Sequence, residues 1–124
     1  MFGVALNQDE NTLTISYRGR VTLDETHLCE EEVKMALPIL EPDFRLVVDL
    51  TGLETMDLSC SPCIASIMER CNAAGVAEVL RIIPDPSRDI GLQILSFFHY
   101  NSDVYVHTCA SLAEANELLE RKPA

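Results

Sequence analysis

Residues Asp57-Leu58-Ser59-Cys60-Ser61-Pro62-Cys63 bring hydroxyls and thiols together at one point of the chain. They fall where an apolar run, Arg45 to Leu50, gives way to a helical pattern from about Pro62 to Ala74. The start of a helix leaves backbone N–H groups unpaired and carries the positive end of the helix dipole. A phosphate, a carboxylate or a thiolate is stabilised there. Two chemistries fit. One is a phosphorylatable serine in a regulatory switch. The other is a C-x-x-C redox pair made of Cys60 and Cys63. Ser59 and Ser61 are also favoured helix-capping residues, so a plain helix start fits as well.

The redox alternative has sound chemistry, because a thiolate at a helix N-terminus becomes more acidic and more nucleophilic. Cys60-Ser61-Pro62-Cys63 looks like a thioredoxin-type C-x-P-C motif between a strand and a helix. Against it, the chain has no tryptophan, and the stretch from Thr51 to Ser59 is a long gap between strand and thiol. Pro84, the best candidate for the proline that such proteins set against the dithiol, ends its strand instead. Zinc would need Cys60 and Cys63 with Cys71, Cys109 or His107, and no second C-x-x-C or H-x-x-x-H pair exists. No metal and no cofactor are therefore expected. His27, His99 and His107 fit no Ser/His/Asp or H-E-x-x-H arrangement, and no glycine-rich phosphate loop is present. Without a nucleophile–base pair, no catalytic residue is assigned and the chain is not expected to be an enzyme.

The elements that must position this segment follow from periodicity. Residues 2–6 are apolar, and after a polar turn Leu13, Ile15 and Tyr17 alternate with Thr12, Thr14 and Ser16. That period of two marks a half-buried strand, and the two segments make an antiparallel hairpin. Thr22 and Glu25 have capping-box spacing at the head of a helix whose apolar face is Cys29, Val33, Ala36, Leu37 and Leu40. Pro38 should end or distort it. Glu30-Glu31-Glu32 reads as a solvated helix face. Arg45 to Leu50 reads as a strand covered on both faces. The next helix has Ser61 as its N-cap, Ile64, Ile67, Met68 and Cys71 on its buried stripe, and Gly75 as its stop. Glu78 to Ile83 is a strand, and Ser87 caps a helix with Ile90, Ile94, Phe97 and Phe98 on its apolar face. Val104 to His107 is a short strand. Ser111 and Glu114 form a second capping box, for a helix lined by Leu112, Ala115 and Leu119.

The order β-β-α-β-α-β-α-β-α implies an α/β fold, a mixed sheet with parallel crossovers and covering helices. Residues 1–124 fit one domain, with residues 121–124 as a frayed tail. Nine basic against 20 acidic side chains give a net charge of −11, which repels nucleic acid and anionic membrane surfaces. That charge suits a basic protein partner, or solubility alone. No apolar stretch approaches a membrane span and no signal peptide is visible, so the expected compartment is the cytoplasm. Five cysteines are an odd set with no disulfide framework, and in a reducing compartment most act as small buried hydrophobes.

Three stretches now carry a resemblance. Gly19-Arg20-Val21-Thr22, the run Leu46 to Asp57, and Thr108 to Ala115 resemble the corresponding parts of the STAS domain, the fold of bacterial anti-sigma factor antagonists. The resemblance spans about Leu13 to Leu119. It implies a protein-interaction module of bacterial signalling, acting on transcription through a partner anti-sigma factor that is also a serine kinase, or on a related signalling protein. In that family a loop of the form Asp-Ser-Ser/Thr-Gly is phosphorylated on its second hydroxyl residue. Asp57 matches the aspartate, Leu58 the first hydroxyl residue, Ser59 the phosphoacceptor and Cys60 the glycine. The implied partner surface takes in Thr22, Asp24, Thr55, Asp57, Leu58, Cys60, Ser61 and Tyr100. Some STAS domains lack the switch and dock constitutively in stress-signalling, transport or lipid-trafficking complexes.

Overall fold

The computed structural model describes residues 1–83 and 103–121. The strands are β1 (Phe2–Asn7), β2 (Thr12–Tyr17), β3 (Gly19–Val21), β4 (Arg45–Asp49), β5 (Leu53–Met56), β6 (Glu78–Ile82) and β7 (Tyr105–Cys109). The helices are α1 (Leu23–Ala36), α2 (Ser61–Ala73) and the C-terminal α3 (Leu112–Glu120). Among the described residues, five strands form one mixed sheet in the order β1-β2-β4-β6-β7. The β1–β2 hairpin is antiparallel, and the β2–β4, β4–β6 and β6–β7 pairs are parallel. The expected helix starting at Ser87, with Phe97, Phe98 and Tyr100, lies outside the described residues, as do residues 122–124 of the expected tail.

Strand β4 shows how the layers form. Leu46 and Val48 join the larger core, which packs Leu13, Ile15 and Tyr17 of β2 against α1 and α2. Val47 joins a second cluster with Leu80, Ile82, Cys109 and Ala115 of α3. Both faces of β4 are thus covered, as its unbroken apolar run requires. Two short strands went unread in the sequence: β3 and β5 pair in parallel as a separate ribbon. Its register shifts between Gly19 and Arg20, and Gly19 sits at φ +61°, a backbone state that glycine adopts without steric cost.

The boundaries follow local chemistry. The Thr22–Glu25 capping box forms as expected, and α1 ends at Ala36 where Leu37–Ile39 tighten into a 3₁₀ turn around Pro38. Three expectations need correction. The N-cap of α2 is Cys60, with no side-chain cap, and Ser61 is already helical. Ser111 caps α3 through the Glu114 N–H, but the Glu114 carboxylate accepts from the Ala110 N–H instead of completing the box. Leu112 is exposed rather than buried, because α3 turns Ala115, Leu118 and Leu119 to the sheet.

At the start of β4, Arg45 is buried in the second layer and donates to the Leu119 and Arg121 carbonyls at the end of α3. It also lies 3.8 Å from Glu78, whose other oxygen is 3.3 Å from His107. The guanidinium therefore satisfies carbonyls that a helix end leaves unpaired, at the negative end of its dipole. Arg45→Ala leaves Glu78 buried without its cation and should cost about 3 kcal/mol. Urea unfolding checks this, and a loss under about 1 kcal/mol would mean the pair contributes no more than a surface ion pair.

Candidate functional site

The β3–β5 ribbon places the starts of α1 and α2 side by side. Arg20 pairs with Thr55 in register and Val21 with Met56. Just beyond, the Asp57 N–H donates to the Val21 carbonyl at 3.4 Å. The Asp57 carboxylate is 3.6 Å from the Arg20 guanidinium, an exposed pair that orients the loop more than it stabilises it. Upstream, the Asp49 carboxylate accepts from the Thr51 N–H at 2.9 Å and fixes the turn out of β4.

Leu58–Cys60 form a 3₁₀ turn between β5 and α2. The Cys60 N–H donates to the Asp57 carbonyl and the Ser61 N–H to the Leu58 carbonyl. Pro62 has no N–H to offer. Two of the donors expected to receive an anion at the head of α2 are thus engaged within the turn, and a third position has none. Cys60 is fully buried, its Sγ 3.9 Å from the Val21 carbonyl. Leu58 and Ser59 face outward. Leu58 is 90 % exposed, the most exposed of the large apolar side chains among the described residues. The exposed Ser59 hydroxyl has no hydrogen-bond partner among the described residues. It does not cap α2, and neither does Ser61.

The structure brings Thr55, Asp57, Leu58, Ser59, Cys60 and Ser61 onto one loop, beside Thr22 at the N-cap of α1 and Asp24 in its first turn. Tyr100 lies outside the described residues. Among the described residues, no helix is long and apolar enough to cross a membrane.

No family model matches the chain, and no curated protein does. Solved structures do. The chain is similar to an uncharacterised DUF3478-family protein from Shewanella loihica PV-4, with TM-score 0.71 and 16 % identity over 96 % of this chain and 92 % of that one. It is similar to the unphosphorylated anti-sigma factor antagonist SpoIIAA, with TM-score 0.68 and 15 % identity over 98 % of this chain and all of that one (100 %). An anti-sigma factor antagonist from Mycobacterium paratuberculosis gives TM-score 0.61 and 15 % identity, covering 98 % and 96 % of the two chains. The fold is the SpoIIAA-like, or STAS, fold. At these identities the likeness is one of fold, and the sheet with its covering helices agrees with the α/β expectation.

The five cysteines are all buried and free. Burial pushes the Cys29 thiol up to about 11 and the Cys71 thiol up to about 12. They behave as small hydrophobes in the core. Cys60 and Cys63 have different neighbours: Cys60 faces β3, and Cys63 faces α1. The Cys63 Sγ is 3.9 Å from His27 Nδ1 and donates to Glu30 Oε1 at 3.5 Å. Burial first, and then the Glu30 carboxylate, raise its pKa, the opposite of the activation a redox nucleophile needs.

Glu30 is not a solvated face residue like Glu31 and Glu32. Its Oε2 accepts from Ser66 Oγ at 2.5 Å and from Arg70 Nε at 2.8 Å. The charge run hid this, because nothing in its composition marks which carboxylate meets α2. Burial works to raise the Glu30 carboxyl, but hydrogen bonds from Arg70, Ser66 and Cys63 and the Arg70 charge hold it below its usual value. A lowered folded pKa gives stability that is full above the unfolded value of about 4.3 and fades as pH falls through the folded one. Wild type should therefore exceed Glu30→Gln in stability at pH 7, and the gap should close at lower pH. Denaturant melts across pH 2–7 in chelator check this, and a gap that persists to the acid end contradicts it.

Proposed function

We propose that this protein is a non-enzymatic interaction module that docks a protein partner through the loop at residues 55–63, in the manner of an anti-sigma factor antagonist. Phosphorylation of Ser59 by a serine kinase of the anti-sigma type is the release step. One observation carries the reading: a leucine 90 % exposed stands beside an exposed serine whose hydroxyl has no partner among the described residues, on a turn held by backbone hydrogen bonds. An apolar side chain held out on a rigid turn loses little entropy on docking and has much area to bury. The SpoIIAA-like fold supports the reading, because the similar structures include anti-sigma factor antagonists.

The geometry favours release by charge. A phosphoryl group on Ser59 adds about −1.5 to −2 charge. The Cys60 and Ser61 N–H groups are engaged within the turn, Pro62 has none to give, and Asp57 stands two residues away with Arg20 as its counter-charge. The modification would therefore compete with Asp57 for Arg20 and set a charge beside Leu58 that docking would have to desolvate. The net charge of −11 adds to the same field.

The test has two parts. Incubation with ATP and the serine kinase encoded nearest the gene should add one phosphate by intact mass, and Ser59→Ala should abolish it. Leu58→Ala should weaken binding to that kinase at least tenfold while changing folding stability by less than about 0.5 kcal/mol, as expected for an exposed side chain. Phosphate-free binding that depends on Leu58 would leave a constitutive dock without a switch. Binding indifferent to both Leu58 and Ser59 would end the proposal.

A further inference from the structure

The groove between α1 and α2 holds a second cluster that no linear motif announces. His27 and Glu30 are one turn apart on α1, and Cys63 faces them from the first turn of α2. One donor atom from each, His Nδ1 or Nε2, a Glu carboxylate oxygen and Cys Sγ, lies within 4.8 Å of the others. From this geometry we infer a zinc site made by His27, Glu30 and Cys63.

The distances suit the ion. Zinc bonds of about 2.3 Å to sulfur and about 2.1 Å to nitrogen or oxygen put tetrahedral ligand atoms roughly 3.3–3.6 Å apart. Cys63 Sγ is already 3.5 Å from Glu30 Oε1 and 3.9 Å from His27 Nδ1. His27 is exposed, so its ring is free to swing inward by the remaining distance. The two Glu30 oxygens have separate tasks. Oε2 is held by Ser66 and Arg70, while Oε1 faces the thiol. That is the arrangement by which an outer hydrogen bond fixes a carboxylate for monodentate ligation. Thiolate, imidazole and carboxylate together select a borderline-soft ion over magnesium or calcium.

Three protein ligands leave a fourth position, on the solvent side at His27, for water or for a partner's side chain. Binding replaces the Cys63 thiol proton with the metal, and the proton leaves to buffer. Cys63 closes the 55–63 loop, but its side chain faces α1, and the test reads metal binding alone, so its outcome does not depend on the docking proposal.

The test uses the purified full chain, stripped with chelator, and zinc or cobalt(II) alone under reducing conditions. We expect one equivalent of zinc by titration calorimetry and a thiolate-to-cobalt charge-transfer band with cobalt(II). Affinity should fall about tenfold for each unit by which the pH is lowered through the range where the thiol is protonated. His27→Ala, an exposed change that spares the fold, and Cys63→Ser should each weaken zinc at least tenfold, with circular dichroism confirming that both variants are folded. Zinc at a fixed concentration should raise the melting temperature of wild type more than that of His27→Ala. No stoichiometric binding by wild type, no charge-transfer band, or binding unchanged in both variants would overturn the site.

Discussion

Strand β4 is the element on which the rest depends, because it must lose both faces to protein. Val47 and the Leu46–Val48 pair need separate apolar layers, and parallel neighbours on each side need crossovers long enough to carry helices. That places α1 and α2 on one face and α3 on the other. It also fixes where the chain emerges. Leu50 is anchored by donating to the Ile82 carbonyl, so the backbone can only turn outward at Thr51-Gly52 and return through β5. The exposed loop at Leu58-Ser59 results from that route.

The central architecture was legible because each element had one dominant signal. Alternation at Leu13, Ile15 and Tyr17, the apolar run at β4 and the capping pair Thr22–Glu25 each reflect a local rule that the tertiary structure does not override. The β3–β5 ribbon was hidden for the opposite reason. Strands of three and four residues, in parallel with each other and flanked by glycines, carry no periodicity to detect. The cap of α2 was misread because Ser61-Pro62 matches the usual cap-then-proline pattern. The preceding 3₁₀ turn winds the chain one residue early and draws Ser61 into the helix. Glu30 and His27 were unreadable for a different reason. Their partners stand 33 to 40 residues away, and only helix packing brings them together.

The two cysteines of the C-x-x-C motif illustrate how one spacing can serve two layers. Positions three apart in a helix share a face, yet Cys60 belongs to the 3₁₀ turn and only Cys63 to the helix proper. The change of winding between them turns Cys60 toward β3 and Cys63 toward α1. The motif is thereby split between a packing role and a polar groove.

Cys60 also clarifies the departure from the glycine of the STAS loop pattern. A glycine is required where the backbone takes a positive φ or where a Cβ would collide. Cys60 sits at φ −74° and ψ −18°, an ordinary helical conformation, so the backbone sets no such requirement here. Its side chain fills a fully buried site against β3, and the added volume is used in packing. Leu58 departs in the other direction. The pattern has a hydroxyl there, whereas this chain puts a large apolar group into water, at a hydration cost that folding does not recover. A residue so exposed contributes nothing to the core, and its apolar area stays in water. The two departures thus divide cleanly: Cys60 secures the turn from inside, and Leu58 enlarges what the turn presents outside.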